Sequence, residues 1–164
     1  MSKLSCMLIP ASNIFIVDDD PVYLVMLERF LRNIGCEKVS PFTNGPDCIQ
    51  QLQQRPDIIF LDYAMSPMDG LDTLKVIKSL YPNICVIFLS GQTDTEVAVN
   101  ALKCGAYDYI AKGSEQLVHI KAVIKKIERL KGGGDAEAQN FAVANRWYNG
   151  TMQKPHPSFF ILNR

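Results

Sequence analysis

Acidic, hydroxyl and basic side chains follow three apolar runs of the chain and one weaker strand-like segment. Asp18-Asp19-Asp20 follows residues 14–17, Asp62 follows 58–61, Ser90 follows 84–89, and Lys112 comes just after 106–110. Because parallel strands present their carboxyl ends at one edge of a sheet, we expect these groups to converge there. Carboxylates placed a few ångströms apart repel unless a cation offsets them, and such oxygen ligands suit Mg²⁺. With Lys112 to bind phosphoryl oxygens and Ser90 to donate a hydrogen bond, the set predicts a site for a metal ion and a phosphoryl group, in which one carboxylate is the nucleophile.

The apolar runs themselves predict strands that are buried on both faces. Residues 14–17, 58–61 and 84–89 are continuously apolar rather than alternating, which is typical of a parallel sheet covered by helices. Weaker strands are expected over 37–42 and 106–110.

The segments between these runs carry helix signals. Asp20 followed by Pro21 is typical of a helix start, and Gly35 of a helix end. Thr93 and Glu96 form a capping box for a later helix. A last helix is predicted from apolar residues at helical spacing, which are Leu117, Ile120, Ile124 and Ile127. Five β–α units in succession predict a doubly wound α/β domain with a five-stranded parallel sheet and helices on both faces.

Composition and charge argue against several other classes of protein. Seventeen Lys and Arg balance seventeen Asp and Glu, so nothing electrostatic favours direct binding of nucleic acid or an anionic membrane. The longest apolar runs have only five or six residues, too few to cross a bilayer. The five cysteines are scattered and never spaced as CxxC, which argues against a zinc site and disulfides and favours buried thiols in the cytoplasm.

The chain is predicted to have three parts. Residues 1–12 are expected to be an N-terminal extension and not an export signal, and residues 13–131 to form the α/β domain. The triple glycine 132–134 predicts a linker, so that 132–164 form a Gly-rich linker and a tail. The tail is too aromatic for a simple linker and too short for a core of its own.

Five stretches match the motifs of one protein family in order and spacing. They are residues 14–21, 56–63, 68–70, 88–91 and 105–112. Through them, about residues 12–130 resemble the receiver domains of two-component response regulators, the CheY-like superfamily. The resemblance implies a (βα)5 fold with the flavodoxin-like strand order 2-1-3-4-5.

The resemblance also implies a role for each acidic residue. Asp62 is similar to the phosphoacceptor of receivers. Asp19, Asp62 and the backbone carbonyl of Ala64 correspond to direct Mg²⁺ ligands, and Asp18 acts through a metal-bound water. Asp20 lies beyond the usual acidic pair, and we interpret it as the helix cap.

Switching and partners follow from the same resemblance. Ser90 and Tyr109 look like the switch pair, and Lys112 like the phosphoryl-binding lysine. The implied donor is the phosphohistidine of a sensor kinase or phosphotransfer protein. The implied receiver of the signal is a protein partner, an output domain or a second copy of the chain, bound through the 93–130 face. Self-phosphorylation and self-dephosphorylation are then the only reactions expected, so the chain is not expected to be an enzyme.

Two positions depart from the family pattern. Gly113 stands where many receivers have a proline after the lysine, and Pro67 lies one place late in the loop after Asp62. Neither change removes a chemical group from the site.

Two other functions fit parts of the pattern. Residues 18–22 also match the signature of haloacid dehalogenase-like phosphatases, with Asp18 as nucleophile and Asp20 as acid/base. That alternative gives Asp62 no role and lacks the later acidic pair of those enzymes. A receiver-like interaction module that is never phosphorylated would not need the complete set of acidic, hydroxyl and ammonium groups.

Overall fold

The computed structural model describes residues 12–91 and 95–132, and within them five parallel strands form one sheet. The strands are β1 (Asn13–Val17), β2 (Lys38–Phe42), β3 (Ile58–Asp62), β4 (Cys85–Ser90) and β5 (Asp108–Ala111). Their order across the sheet is β2-β1-β3-β4-β5. The predicted fold class and strand order are therefore confirmed. Residues 1–11 of the predicted N-terminal extension and the predicted tail after the first glycine of the linker lie outside the described residues.

The helices occupy the crossovers between successive strands. They are α1 (Pro21–Asn33), α2 (Gly45–Gln50) with a 3-10 turn at Leu52–Gln54, α3 (Gly70–Leu80), α4 (Thr95–Lys103) and α5 (Gln116–Gly132). None of these helices, in the ranges that the structure describes, is both long and apolar enough to span a bilayer.

The predicted ends of α1 are confirmed in detail. The Asp20 carboxylate accepts hydrogen bonds from the backbone N–H groups of Val22 and Tyr23, which satisfies the first turn. Gly35 has a φ of +107°, the conformation that lets a helix end in a tight reversal. The capping box predicted from Thr93 cannot be compared, because Thr93 lies outside the described residues.

The continuous apolar runs place alternate side chains in two cores, one on each face of the sheet. Ile14 and Ile16 of β1 pack with α1 and α5, whereas Phe15 and Val17 pack on the face covered by α2, α3 and α4. All four side chains are buried. The lack of alternation in the sequence thus reflects burial on both faces. Four free cysteines also belong to these packed layers, and three of them are fully buried.

One lysine is buried at the end of the sheet opposite to the strand ends that carry the acidic residues. Lys78, near the end of α3, is 8% exposed and packs its stem against Gly105. Its ammonium donates to the carbonyl oxygens of Pro82 and Ile84, at 3.2 and 2.5 Å. Desolvation by burial lowers the pKa of Lys78 to about 8.

We predict that Lys78 makes the unfolding free energy depend on pH above neutrality. Since the pKa is lower in the folded chain than in the unfolded chain, the unfolded state binds more protons between about pH 8 and 10.5. Stability relative to the Lys78→Met variant should therefore rise by about 1–3 kcal/mol across that range. Urea unfolding at several pH values measures this difference.

Lys103→Met, which removes an exposed lysine, is the control for losing one positive charge. The lowered pKa would be contradicted if the unfolding free energy of wild type, relative to that of Lys78→Met, stayed constant or fell from pH 8 to 10.5.

Candidate functional site

Three carboxylates meet at the carboxyl edge of the sheet, where β1 and β3 lie side by side. Val17 pairs with Leu61, so the next residues, Asp18 and Asp62, lie side by side at the carboxyl edge of the sheet. Asp18, Asp19 and Asp62 each place one carboxylate oxygen within 4.8 Å of the others. Asp18 and Asp62 are only 2% and 4% exposed, while Asp19 faces solvent. The predicted convergence of the acidic residues is therefore confirmed.

Lys112 lies between the two buried carboxylates. Its Nζ is 2.5 Å from Oδ2 of Asp18 and 2.6 Å from Oδ1 of Asp62. The backbone N–H of Lys112 also donates to the carbonyl oxygen of Ser90 at 2.7 Å, which fixes the start of the β5–α5 connection to the end of β4. The ends of β1, β3, β4 and β5 thus meet at Lys112, through its ion pairs with Asp18 and Asp62 and its backbone bond to Ser90. The part of the Ser90 hydroxyl in the site stays a prediction.

The cluster has one positive charge for two buried carboxylates. Burial is the main reason that the pKa of Asp18 is raised, and the hydrogen bond from Lys112 works against that rise. Burial alone would lower the pKa of Lys112, but its contacts with Asp18 and Asp62 outweigh it and raise the pKa. The lysine therefore stays charged, and the site retains a net demand for a further cation.

The acidic run after β1 divides into two functions. Oδ1 of Asp18 accepts a hydrogen bond from the backbone N–H of Asp20 at 2.9 Å, which orients the Asp18 carboxylate. The Asp20 carboxylate itself caps α1. Only Asp18 and Asp19 of the run contribute oxygens to the cluster.

The loop after Asp62 is held against the start of α3 by Gly70. The N–H of Gly70 donates to the carbonyl oxygen of Tyr63 at 2.9 Å. A Cβ atom on Gly70 would collide with the carbonyl oxygen of Asp62 and lie 2.8 Å from Cα of Tyr63. Only glycine fits such a close approach, so α3 and the Asp62 backbone position one another. In the same loop, the Ser66–Pro67 peptide is cis.

The donor set fits Mg²⁺. Carboxylate oxygens at short mutual distance, partly open to solvent through Asp19, match a small hard cation that keeps several of its waters. Ala64 lies two residues after Asp62 with its side chain exposed, and the use of its carbonyl as a ligand stays a prediction.

Ser90 and Tyr109 lie at the neighbouring strand ends but do not stand opposite each other. Ser90 pairs with Ala111, and Tyr109 pairs with Phe88. The half-buried ring of Tyr109 stacks on Phe88, with centroids 6.3 Å apart. Ser90 is 1% exposed. The structure thus places Ser90 and Tyr109 along β4, with the ring of Phe88 against Tyr109, and their role as a switch pair stays a prediction.

Sequence reasoning missed Tyr23, which contacts Lys112, and Gln116, which contacts Tyr23. Nζ of Lys112 lies over the ring of Tyr23, 4.1 Å from its centroid. The Tyr23 hydroxyl donates to Oε1 of Gln116 at 2.9 Å. Burial, followed by the charges of Asp18 and Asp62, raises the pKa of Tyr23, so the hydroxyl stays protonated. The available signal was the position of Tyr23 in the first turn after the acidic run.

Residues 14–125 match the family model of the response regulator receiver domain. The chain belongs to this family. It is a phosphorylatable receiver of two-component signal transduction. Receiver domains of this family generally bind Mg²⁺ in an acidic pocket.

Curated relatives and solved structures agree with this assignment. The receiver is 35% identical over 129 residues to the DNA-binding transcriptional regulator NtrC of Proteus hauseri, covering 76% of this chain and 27% of that protein. It is 39% identical over 101 residues to the transcriptional regulatory protein ZraR of Escherichia coli O157:H7, covering 61% and 23%. The crystal structure of the receiver domain of NtrX from Brucella abortus matches with a TM-score of 0.65 and 27% identity, covering 70% and 97%.

This chain spans about a quarter of the length of those two curated relatives. The phosphatase alternative is not supported by these comparisons. The Asp20 carboxylate, which that alternative needs as acid/base, is hydrogen-bonded as the cap of α1.

We predict that Gly70→Ala destabilises the receiver, because the new methyl group forces α3 away from the Asp62 backbone. The free energy of unfolding should fall by about 1–3 kcal/mol, as is typical when a packed contact is overfilled. Urea unfolding monitored by circular dichroism measures it. Gly113→Ala is the matched control, since a Cβ there would have no neighbour within 4 Å. Equal stabilities of the two variants would contradict the close approach.

Proposed function

We propose that Asp62 accepts the phosphoryl group of a sensor kinase phosphohistidine, or of a phosphotransfer protein, and that the receiver then presents a changed surface to an output partner. The observation that carries this proposal is the position of Asp62. It ends the central strand, it is paired with Lys112, and it shares the acidic cluster with Asp18 and Asp19.

The transfer itself balances with the groups in the cluster. A carboxylate oxygen of Asp62 attacks the phosphorus, a P–O bond forms, and the P–N bond to the donor imidazole breaks. The electron pair of that bond stays on the imidazole nitrogen. Lys112, already beside Asp62, stabilises the negative charge on the phosphoryl oxygens.

Asp18, Asp19 and Asp62, with the Ala64 carbonyl, are the proposed Mg²⁺ ligands, and Asp18 acts through a bound water. When bound, the metal neutralises charge on the carboxylates and on the phosphoryl oxygens. Asp19 is the exposed member, which leaves the cluster open to solvent on its side.

The chain is changed by the reaction and does not turn over a separate substrate. The product is an acyl phosphate on Asp62, which water hydrolyses back to the carboxylate. For this reason we propose that the receiver acts as a signalling protein rather than as an enzyme. We also propose that it acts in the cytoplasm, where thiols such as the free cysteines of the described residues stay reduced.

Exposed apolar side chains on α1 and α5 support docking of a phosphodonor protein. Val22 and Val25 on α1 are 76% and 66% exposed, and Val118 on the first turn of α5 is 68% exposed. The hydrogen bond between Tyr23 and Gln116 joins these two helices beside the site. A partner that buries these valines would bring its phosphohistidine to the rim of the cluster.

The switch uses the residues at the ends of β4 and β5. A phosphoryl group on Asp62 adds close to two negative charges and new acceptor oxygens. The Ser90 hydroxyl moves toward them as a donor, and Tyr109 moves along Phe88 into the space beside β4. These shifts bias two existing states and alter the 93–130 face that the output partner or a second receiver binds.

Phosphorylation by a small-molecule donor tests the phosphoacceptor. Acetyl phosphate with Mg²⁺ should add one phosphoryl group to the wild-type chain, stable in acid and labile in base, and none to Asp62→Asn. Intact mass spectrometry detects the adduct. Asp20→Asn is the matched control, because it neutralises an exposed carboxylate of the same acidic run, the one that caps α1. The Asp20→Asn chain should still be phosphorylated. An adduct of the same yield on Asp62→Asn refutes the assignment.

A phosphoryl analogue tests the switch. Beryllofluoride, which mimics the phosphoryl group, should shift the backbone amide signals of residues 90–115 more than those of α1. In Ser90→Ala the shifts near Tyr109 should be lost, because no hydroxyl couples the phosphoryl oxygens to β4. Two-dimensional NMR provides the measurement. If Ser90→Ala retains the full shifts, the coupled mechanism is wrong for this receiver.

A further inference from the structure

Tyr23 makes two contacts that join α1 to the phosphoryl-binding lysine and to α5. Its ring faces Nζ of Lys112 at 4.1 Å from the centroid, and its hydroxyl donates to Gln116 at 2.9 Å. Tyr23 and Gln116 are 93 residues apart in the chain. The ring is thus fixed at its far end by α5 while its face contacts the ammonium.

Lys112 needs support that does not come from its own loop. A lysine side chain has four rotatable bonds and loses much conformational freedom when it is held in one place. Gly113 follows it directly, and the space around Gly113 is open, so the next residue restricts neither the backbone nor the side chain. The backbone bond to Ser90 holds the Lys112 N–H but not its ammonium.

The two ion pairs of Lys112 use the carboxylates that also serve as metal ligands. Asp18 and Asp62 supply the oxygens that contact Nζ, and both belong to the acidic cluster. A bound cation draws on the same carboxylates and weakens their hold on the lysine. The contact with the Tyr23 ring uses no carboxylate, so a bound cation does not compete for it.

Resting on the function proposed above, we infer that Tyr23 is a positioning residue that keeps the Lys112 ammonium at the site in the metal-loaded receiver. The ring face attracts the cation and shields it from water, and the bond to Gln116 is a lesser restraint on the orientation of the ring. Lys112 is then placed to meet phosphoryl oxygens as they arrive on Asp62.

The test separates binding of the metal from binding of a phosphoryl analogue. Fluorine NMR titration measures beryllofluoride affinity at saturating Mg²⁺, and calorimetry measures Mg²⁺ affinity alone. Tyr23→Leu should weaken beryllofluoride binding by about fivefold to thirtyfold, the range for loss of a desolvated cation–π contact. Its Mg²⁺ affinity should stay within about twofold of wild type, since no carboxylate is removed.

Tyr23→Phe is the conservative variant. It retains the ring and lacks only the hydroxyl, so its beryllofluoride affinity should lie much closer to wild type than to Tyr23→Leu. Should Tyr23→Leu fail to fold, Tyr23→Met replaces it, because methionine fills a similar space without an aromatic face.

Tyr107→Leu is the matched control for losing a tyrosine that contacts a lysine. Lys126 lies over the Tyr107 ring at 5.8 Å, and Tyr107 precedes β5 at the edge of the sheet opposite to the carboxylates. This variant should bind beryllofluoride as wild type does.

Three results would overturn the inference. They are wild-type beryllofluoride affinity in Tyr23→Leu, equal weakening of Mg²⁺ and beryllofluoride, and a Tyr23→Phe variant as weak as Tyr23→Leu. The second result would mean that Tyr23 only supports the packing of α1. Failure of the proposed function is a different outcome, because the wild-type chain itself would then bind no beryllofluoride and take no phosphoryl group on Asp62.

Discussion

The structure depends on the burial of two carboxylates that need a cation. Asp18 and Asp62 are almost inaccessible, and Lys112 supplies one positive charge between them. An unpaired buried charge costs several kcal/mol, so the carboxylates, the lysine and any incoming cation form a single electrostatic unit. The proposed chemistry follows from this unit, since the lysine that pairs with the carboxylates at rest is also the group proposed to bind the phosphoryl oxygens.

The fold positions this unit by tying several elements to a few backbone atoms. The register of β1 and β3 sets Asp18 beside Asp62, and Gly70 lets α3 press on the Asp62 backbone. The N–H of Lys112 donates to the carbonyl oxygen of Ser90, which ties the lysine to the end of β4. Since Nζ of Lys112 also contacts Asp62, direct contacts join Asp62 to the ends of β4 and β5.

Much of this could be predicted from the sequence because the signals are local. Continuous apolar runs indicate strands buried on both faces, and the residue after each run indicates the edge of the sheet. The strand order came from the resemblance to receivers. The ring of Tyr23 over Lys112 was not predictable, because it depends on the rotation of α1 against a loop 89 positions later in the chain. The burial of Lys78 was also missed, since lysine is ordinarily exposed and its carbonyl partners lie in the turn after α3.

The most direct test of this account is the effect of Mg²⁺ on the stability of Lys112→Gln. Without Mg²⁺, the variant should lose about 3 kcal/mol of unfolding free energy relative to wild type, because the buried carboxylates lack their cation. Saturating Mg²⁺ should restore most of that loss and stabilise the variant more than it stabilises wild type. Urea unfolding of both chains, with and without Mg²⁺, gives the four values. A variant that is as stable as wild type without Mg²⁺, or that Mg²⁺ stabilises no more than wild type, would contradict the claim that lysine and metal satisfy the same carboxylates.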